Sequence, residues 1–488
     1  MTTTPITATA APPITDVTGG VAGTSASYSA VLALARRFDD AGDRMRGWAA
    51  HTARLAADPD LVESAPLSPV TFAEAEAAVL DAATGVHGVL LSSVDYEADA
   101  VVVRATVRAF EQCDLLVATA IHAVDYDLGR ALGTTLAAAG PALLGALVAT
   151  APVAAVGASR LPSPTRRRLG GDLGVAGDVA QETLDRHPGL LQHAVDGSGG
   201  LLDGLLGGAG VLTGVAPFHP TVADAAGDLA LLYGAEGPPR VRSRHDLSVP
   251  LGQTTPRCVA DLMRHLDQTN ALSTPDRPGD QGTLEIQTLR AADGSVRHVV
   301  YLPGTDDLTT IPLGQDSDVR DLATNLRLVA GEPTTYAAGI EQAMHAGGIG
   351  PHDPVLLVGH SQGGMEAAAL LARGSPFHVT DVVTAGSPIA QVGGYPHGSH
   401  VLSLENRGDV VPLLDGFDNA DTRQHVTVRF DDHETSIAAN HLLAHYTRGA
   451  EVVDASADPS IREQVHALRR RGFLSGRVTA SQVFQVTR

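Results

Sequence analysis

Residues 354–372 read PVLLVGHSQGGMEAAALLA, and this stretch is the strongest indication of the fold of the second half of the chain. It begins with an apolar run, Val355 to Val358, that has the length and composition of a buried strand. A glycine-rich turn follows, and after it comes an Ala- and Leu-rich run, which is typical of a helix. The order of strand, sharp turn and helix predicts one βα unit of an α/β fold.

The turn carries a serine at its centre. Ser361 is flanked by Gly359 and Gly363 in a Gly-x-Ser-x-Gly pattern. A side chain at either glycine would collide with the neighbouring backbone if the turn is as tight as the pattern indicates. A serine presented between a strand and a helix on such a turn is typical of a catalytic nucleophile. The pattern therefore predicts that Ser361 is a nucleophile, and an ordinary β-to-α turn is the structural alternative.

Further strands are predicted on both sides of this unit. Upstream, residues 284–289 and 297–302 indicate a hairpin around 291–294. Downstream, residues 379–385 and 400–406 are apolar runs of strand length. We therefore expect a mostly parallel sheet in the C-terminal part of the chain.

Two backbone N–H groups are candidates for an oxyanion hole. When a serine nucleophile lies on this kind of turn, the residue after the serine and the loop after an upstream strand donate to the developing negative charge. Here these residues would be Gln362 and Thr305, which ends a Pro-Gly-Thr segment after the second hairpin strand. A simple turn after the strand is the alternative for Thr305.

Asp409 is the candidate acid, because it comes three residues after the strand that ends at Asn406. A carboxylate just beyond a strand end can orient a histidine and stabilise its imidazolium form. We expect three other aspartates to be solvated surface charges, namely Asp381, Asp415 and Asp418.

The catalytic histidine should follow the acid in the chain. His441 is the first candidate, because it begins a predicted helix and can point back to the edge of the sheet. His445 and His433 are alternative bases, the second lying in an acidic turn. His425 opens a predicted strand that ends at Phe430, which is the wrong end for this role.

Taken together, these motifs resemble the lipase-like branch of the α/β-hydrolase superfamily, which includes class-three lipases and GPI inositol-deacylase-like serine esterases. The resemblance covers roughly residues 282–446 and does not reach the first 280 residues. It implies a Ser-Asp-His triad that hydrolyses carboxylic esters, often of lipids, without a cofactor or a metal ion. The motifs that carry it are Pro-Gly-Thr at 303–305, Gly-His-Ser-Gln-Gly at 359–363, Gly-Ser-Pro at 386–388, Asn-x-x-Asp-x-Val-Pro at 406–412, and His441 with Tyr446.

The sequence before the candidate domain indicates a different organisation. A capping-box pair, Thr71 and Glu74, and apolar residues at helical spacing predict helices. The uncharged stretch from Ala131 to Ser159 predicts either membrane contact or a buried helical hairpin. The predicted layout is a flexible tail over 1–26, an α-helical bundle or hairpin over 27–130, an Ala/Gly-rich apolar connecting region over 131–240, and an α/β-hydrolase domain with a mostly parallel sheet over 241–488.

Composition excludes several classes of function. Acidic residues exceed basic ones by 55 to 34, and a net charge of −21 argues against nucleic acid as a partner. The two cysteines, Cys113 and Cys258, are far apart and predict neither a disulfide framework nor a zinc site. The first residues lack the features of a Sec signal peptide. We therefore expect a cytoplasmic protein, with membrane association or export without a Sec signal as alternatives.

The leading functional hypothesis is a serine esterase or lipase whose substrate is a small-molecule or lipid ester. One alternative is an exported bacterial effector lipase with a helical targeting module. Another is a non-catalytic interaction protein in which the hydrolase-like domain is a scaffold. The helical region is also a candidate site for a protein partner, and the apolar stretches are candidates for peripheral membrane contact.

Overall fold

The computed structural model describes residues 11–85, 87–138, 200, 221–231, 233–273, 278–307, 316–434 and 437–488. These residues belong to two compact units, a helical unit over residues 24–121 and a second unit that combines residues up to 23 with those from 122 onward. Residues 139–159, most of the uncharged stretch predicted from Ala131 to Ser159, lie outside the described residues.

The helical unit confirms the prediction of an α-helical N-terminal region. Its helices are α1 (Thr24–Leu55), α2 (Pro59–Ser64), α3 (Pro69–Thr84) and the first part of α4 (Val89–Ala138). The predicted capping box is wrong. Helix α3 begins after Ser68, so Thr71 lies inside the first turn and its hydroxyl donates to Ser68 Oγ at 2.6 Å.

Helix α1 approaches α4 closely at Gly42. The buried positions on α1 include Ala35, Gly42 and Ala49, which are spaced by seven residues. A Cβ atom built on Gly42 would lie 3.1 Å from the carbonyl oxygen of Ser93 on α4. Ion pairs between Arg46 and Glu97 and between Arg104 and Asp39 also join the two helices.

Among the described residues, one helical stretch, Pro69–Gln112, is long and apolar enough to cross a membrane by length and composition. Only 18% of its most apolar window is buried. This stretch spans both helices, since α3 ends at Thr84 and α4 begins at Val89.

The second unit contains a nine-stranded mixed sheet in the order β1-β8-β7-β6-β5-β4-β3-β9-β2. Strands β4 to β8 are parallel neighbours, whereas β1, β3, β9 and β2 pair antiparallel with their neighbours. The strands are β1 (Ile14–Gly19), β2 (Arg240–Ser243), β3 (Thr283–Arg290), β4 (Val296–Leu302), β5 (Val355–His360), β6 (Val379–Ala385), β7 (His400–Asn406), β8 (His425–Phe430) and β9 (Arg477–Thr487).

Strand β1 corrects the predicted boundaries. The expectation of a flexible tail over residues 1–26 is wrong for Ile14–Gly19, which pair antiparallel with β8. Strand β2 begins at Arg240 and pairs with β9. The unit that contains the sheet therefore includes residues that precede the helical unit in the sequence as well as residues that follow it, and it is not confined to residues 241–488.

Helices cover both faces of the sheet. Besides the end of α4, the described residues of this unit form the helices α5 (Val222–Leu231), α6 (Val259–Asn270), α7 (Leu322–Val329), α8 (Thr335–Ala346), α9 (Gln362–Arg373), α10 (Ile437–Asn440), α11 (Leu443–Ala455) and α12 (Pro459–Arg470). Residues of α6, α11 and α12 form one apolar core with side chains such as Val299 and Tyr301 of β4. Residues of α8 and α9 form the other core with the alternate side chains Val300 and Leu302. Burial on both faces explains why these strands read as continuous apolar runs.

The parallel centre of the sheet positions the candidate residues. The carboxyl ends of β4, β5 and β7 lie at the same end of the sheet, because these strands run in the same direction. The Pro-Gly-Thr segment, Ser361 and Asp409 follow these three strands respectively. Residues far apart in the sequence are thus brought to the same end of the sheet.

Candidate active site

Ser361 lies on a strained turn between β5 and α9. Its backbone has φ 52° and ψ −123°, and among the described non-glycine residues only His433 also has positive φ. Such a conformation costs on the order of 1–3 kcal/mol and persists only where the surroundings enforce it. Here the Ser361 N–H donates to the carbonyl of Ala385 at 2.9 Å, and the Ser361 carbonyl accepts from Met365 at 3.2 Å. Backbone hydrogen bonds of Ser361 therefore connect it both to the end of β6 and to the beginning of α9.

Glycines make this turn possible. A Cβ atom on Gly359 would lie 2.3 Å from the carbonyl oxygen of Gly363, and one on Gly363 would lie 2.0 Å from that of Leu302. Both distances are far below contact and involve backbone atoms, which confirms the predicted collision. A Cβ atom on Gly304 would lie 3.1 Å from the Cβ of Ser361. The loop after β4 therefore runs directly beside Ser361.

Asp409 and His441 form a close pair. The Nδ1 atom of His441 lies 2.6 Å from Oδ2 of Asp409, whose side chain is fully buried. The same oxygen accepts the hydroxyl of Tyr446 at 2.6 Å, and Oδ1 accepts the N–H of Val411 at 2.9 Å. Burial, and then the charge of Asp409, raise the pKa of Tyr446 well above its usual value, so the phenol stays protonated and donates. When Nδ1 of His441 donates to this carboxylate, its Nε2 is left as a proton acceptor.

His360 supports His441 from the nucleophile side. The Nε2–H of His360 donates to the His441 carbonyl at 2.9 Å, and the two ring centroids are 4.5 Å apart. Burial lowers the pKa of His360 well below its usual value, with a further contribution from the charge of His441, so its ring is neutral. Because His360 immediately precedes Ser361, this contact places His441 next to the nucleophile turn. Sequence reasoning missed His360, although its position inside the Gly-x-Ser-x-Gly pattern was a signal.

The two alternative bases have other partners. His445 is buried and its Nδ1 binds Asp432, which also lies 3.7 Å from Arg448. The side chain of His433 is 74% exposed and its Nδ1 lies 3.2 Å from Asp431. Of the three histidines, the structure brings His441 to Asp409.

Two of the aspartates predicted as surface charges are buried instead. Asp381 lies within β6, and its carboxylate pairs with Arg471 at 2.5 Å. Asp415 accepts the N–H of Ala390 at 2.6 Å, and burial raises its pKa to about 7. Both aspartates are buried for the same reason, because a partner from a distant segment covers the carboxylate. Asp418 agrees with the prediction, because its side chain is 64% exposed.

The predicted oxyanion residues lie on either side of Ser361. Gln362 is the first residue of α9, and the first N–H groups of a helix have no acceptor within the helix. Thr305 follows Gly304, which lies against Ser361. Its Oγ1 accepts the side-chain amide of Asn325 at 3.0 Å, which fixes the residue on its loop. Both residues therefore belong to segments that run beside the serine, as the prediction of an oxyanion hole requires.

The described residues contain no group of three or more His, Cys, Asp or Glu side chains that could hold a metal ion. Burial raises the pKa of Cys258 to about 11, so its thiol is protonated and a poor nucleophile at neutral pH. Ser361 is the candidate nucleophile that the geometry favours, because of its strained turn and the His441–Asp409 pair next to that turn. No family model, no curated protein and no solved structure matches this chain.

Proposed function

We propose that this protein is a serine hydrolase of the α/β-hydrolase type that cleaves carboxylic esters through Ser361, Asp409 and His441. The observation that carries the proposal is the 2.6 Å contact between His441 and a fully buried Asp409, beside a serine held at φ 52°. Backbone strain of this kind is concentrated at functional sites. A buried carboxylate that orients a histidine is the arrangement by which serine is activated.

The topology supports the type of fold. The candidate serine follows β5, the candidate acid follows β7 and the candidate base follows β8, all in the parallel part of the sheet. The chain order Ser, Asp, His is that of α/β hydrolases, whereas other serine hydrolases order the same residues differently.

The proposed reaction proceeds through an acyl-enzyme. His441 Nε2 takes the proton of Ser361 Oγ while the oxygen forms a bond to the ester carbonyl carbon. The N–H groups of Thr305 and Gln362 bind the oxyanion, and His441 then protonates the departing alkoxide oxygen as the ester C–O bond breaks, which releases the alcohol. A water oxygen then attacks the acyl carbon while His441 takes its proton, and His441 returns this proton to Ser361 Oγ as the bond between Oγ and the acyl group breaks and the acid leaves. Asp409 stabilises the imidazolium in both halves of the reaction.

The proposed substrates are esters with an apolar acyl group, including lipid esters. Within the described part of residues 233–488, the exposed large apolar side chains are Leu414 and Leu442, at 41% and 57% exposure. Leu442 directly follows His441, and Leu414 lies in the loop after Asp409. Each CH₂ group that packs on such a surface contributes about 0.8 kcal/mol, so longer acyl chains should be better substrates.

Two measurements test the proposal. The first is labelling by a fluorophosphonate probe, which should modify Ser361 in the wild type and leave Ser361→Ala unmodified. The second is turnover of p-nitrophenyl esters of increasing chain length by both proteins. Labelling or turnover that survives Ser361→Ala would overturn the nucleophile assignment. A rate that does not rise with chain length would overturn the apolar substrate class alone.

A further inference from the structure

Arg320 contacts the candidate oxyanion loop through its side chain. The arginine side chain is fully buried, although it carries a charge. Its Nη1 donates to the carbonyl of Gly304 at 2.9 Å, and its Nη2 lies 2.6 Å from the carboxylate of Asp306. One guanidinium group therefore contacts the residues on both sides of Thr305.

The backbone of Arg320 also binds the loop that contains Thr305. The Arg320 carbonyl accepts the N–H of Asp306 at 2.8 Å and that of Asp307 at 3.3 Å. Thr305, the first predicted donor, is thus enclosed between contacts to Arg320 that precede and follow it. The direction of its N–H depends on the peptide plane between Gly304 and Thr305, and the carbonyl of that plane is the one that Arg320 binds.

The next residue in the chain supports the second predicted donor. The carbonyl of Asp321 accepts the side-chain amide of Gln362 at 2.9 Å. Asp321 itself caps helix α7 by accepting the N–H of Thr324 at 3.0 Å, and it pairs with Arg488 at 2.8 Å. The dipeptide Arg320–Asp321 is therefore a fixed support that contacts both sides of the candidate oxyanion hole.

A purely structural role would explain a buried ion pair poorly. Removing two charges from water costs more than an apolar pair of similar size, so such a pair is weak evidence for stability. The guanidinium group, in contrast, presents several N–H donors in a rigid plane, which suits it to fixing two acceptors at once. Asp306 is oriented in turn by the N–H of Gly282 at 2.8 Å and the hydroxyl of Ser273 at 2.7 Å.

We propose that Arg320 is a positioning residue that holds the Gly304–Thr305 peptide, and through Asp321 the Gln362 side, in the geometry that binds the oxyanion. This inference rests on the proposed function. The loss of one oxyanion donor lowers kcat by about 10²–10³, and partial misplacement should cost less.

The first test is Arg320→Lys, which retains the charge next to Asp306 but cannot bind Gly304 and Asp306 in one plane. We expect kcat for a p-nitrophenyl ester to fall by about 10- to 100-fold while KM changes less than about twofold. The inhibition constant of a trifluoromethyl ketone, whose adduct with serine carries an oxyanion, should rise by the same factor. The matched control is Arg327→Lys, a buried arginine of α7 that binds the carbonyl of Gly234 and lies 3.6 Å from Glu236.

A second variant covers the case in which Arg320→Lys does not fold. Gln362→Met removes the side-chain amide that binds Asp321 but keeps the backbone N–H that would bind the oxyanion. We expect a decrease of about 3- to 30-fold in kcat and in the rate of fluorophosphonate labelling of Ser361, with KM unchanged.

The outcomes separate this inference from the proposed function. If wild type is labelled at Ser361 and turns over esters, but both variants have the kcat of Arg327→Lys, Arg320 does not position the oxyanion hole. A rise in KM with constant kcat would also overturn the inference, because it indicates a loss of uniform substrate binding. If wild type is neither labelled nor active, the proposed function itself fails.

Discussion

The imidazole Nδ1 of His441 lies 2.6 Å from the Oδ2 of Asp409, although the two residues are 32 positions apart in the chain. The pair exists because strands β7 and β8 are parallel neighbours, so the segments that follow them begin at the same end of the sheet. A Cβ atom on Gly408 would lie 2.3 Å from the side chain of Asn440, which indicates how tightly these two segments pack. The arrangement leads to specific expectations for each member of the pair.

Asp409→Asn should lower kcat by about 10³- to 10⁴-fold, because the amide cannot stabilise the imidazolium and favours the wrong tautomer of His441. The far-UV circular dichroism spectrum should not change. Asp418→Asn is the matched control, since that carboxylate is largely exposed and pairs with Arg429. A rate close to wild type in Asp409→Asn would assign the acid to another residue.

His441→Ala should abolish ester turnover, whereas His433→Ala and His445→Ala should retain most of it. His433 is largely exposed, and His445 is bound to Asp432. Removal of His445 leaves Asp432 with fewer partners, so the specific activity should be measured on the folded fraction of each variant. The opposite ranking of His441 and His445 would move the base while leaving the fold unchanged.

Gly363→Ala should destabilise the protein by about 3 kcal/mol or more, because the added methyl group would lie 2.0 Å from the carbonyl oxygen of Leu302. The collision involves backbone atoms on β4 and α9, which cannot move apart without disturbing the centre of the sheet. Gly393→Ala is the control, since a Cβ atom there meets nothing within 4 Å. Thermal unfolding compares the two, and equal midpoints would contradict the steric argument.

Glu366 should make the protein less stable as the pH rises. Burial raises the pKa of this carboxyl to about 8, and its Oε1 accepts the hydroxyl of Thr334 at 2.5 Å. The folded state therefore keeps a proton that the unfolded state has already lost, so stability falls between about pH 4 and pH 8. Asp318 and Asp415, whose pKa values burial raises to about 7, act in the same direction.

Glu366→Gln, which resembles the protonated form, should flatten this dependence and stabilise the protein at pH 8 by on the order of a few kcal/mol. Denaturant midpoints from pH 5 to pH 9 measure the effect. Glu451→Gln, on an exposed part of α11, should leave the slope as in wild type. An unchanged slope in Glu366→Gln would mean that the buried carboxyl is ionised throughout this range.

A protein that begins at Val241 should unfold at a lower temperature than the full chain. It would lack strand β1 and also Glu236, whose carboxylate accepts the N–H of Thr335 at 2.6 Å and pairs with Arg488 at 3.4 Å. A protein that begins at Ala11 retains both features and is the control. Equal thermal midpoints for labelling of Ser361 would show that neither feature contributes.

Local sequence signals predicted the centre of the sheet well. The predicted strand 400–406 agrees with β7, and the predicted hairpin agrees with β3 and β4 to within about two residues. These strands are apolar runs bounded by turn residues, so their pattern is complete within a short window. The sharp turn at Ser361 was also predictable, because the glycines two positions before and after it indicate a backbone too tightly packed to accommodate side chains there.

The remaining features depend on partners that are distant in the chain. Asp381 is buried because Arg471, 90 positions later, covers it, and no local pattern reports this pairing. The same holds for Arg320, whose contacts to Gly304 and Asp306 arise only when the segment before α7 folds against the loop after β4. Strand β1 was missed because a short polar edge strand lacks the apolar signature of a buried one.

The pairing of β1 with β8 also constrains the order of assembly. Thr15 donates its hydroxyl to the carbonyl of Arg429 across a separation of 414 positions, so β1 must wait for its partner strand until the intervening residues have left the ribosome. The helical unit, whose contacts lie within residues 24–121, can form in the meantime. We expect completion of this sheet edge to be a late and slow event, because contacts of such long range must first overcome the entropy of closing the loop. Until then β8 has an open edge, and a newly made chain is most exposed to intermolecular strand pairing during that interval.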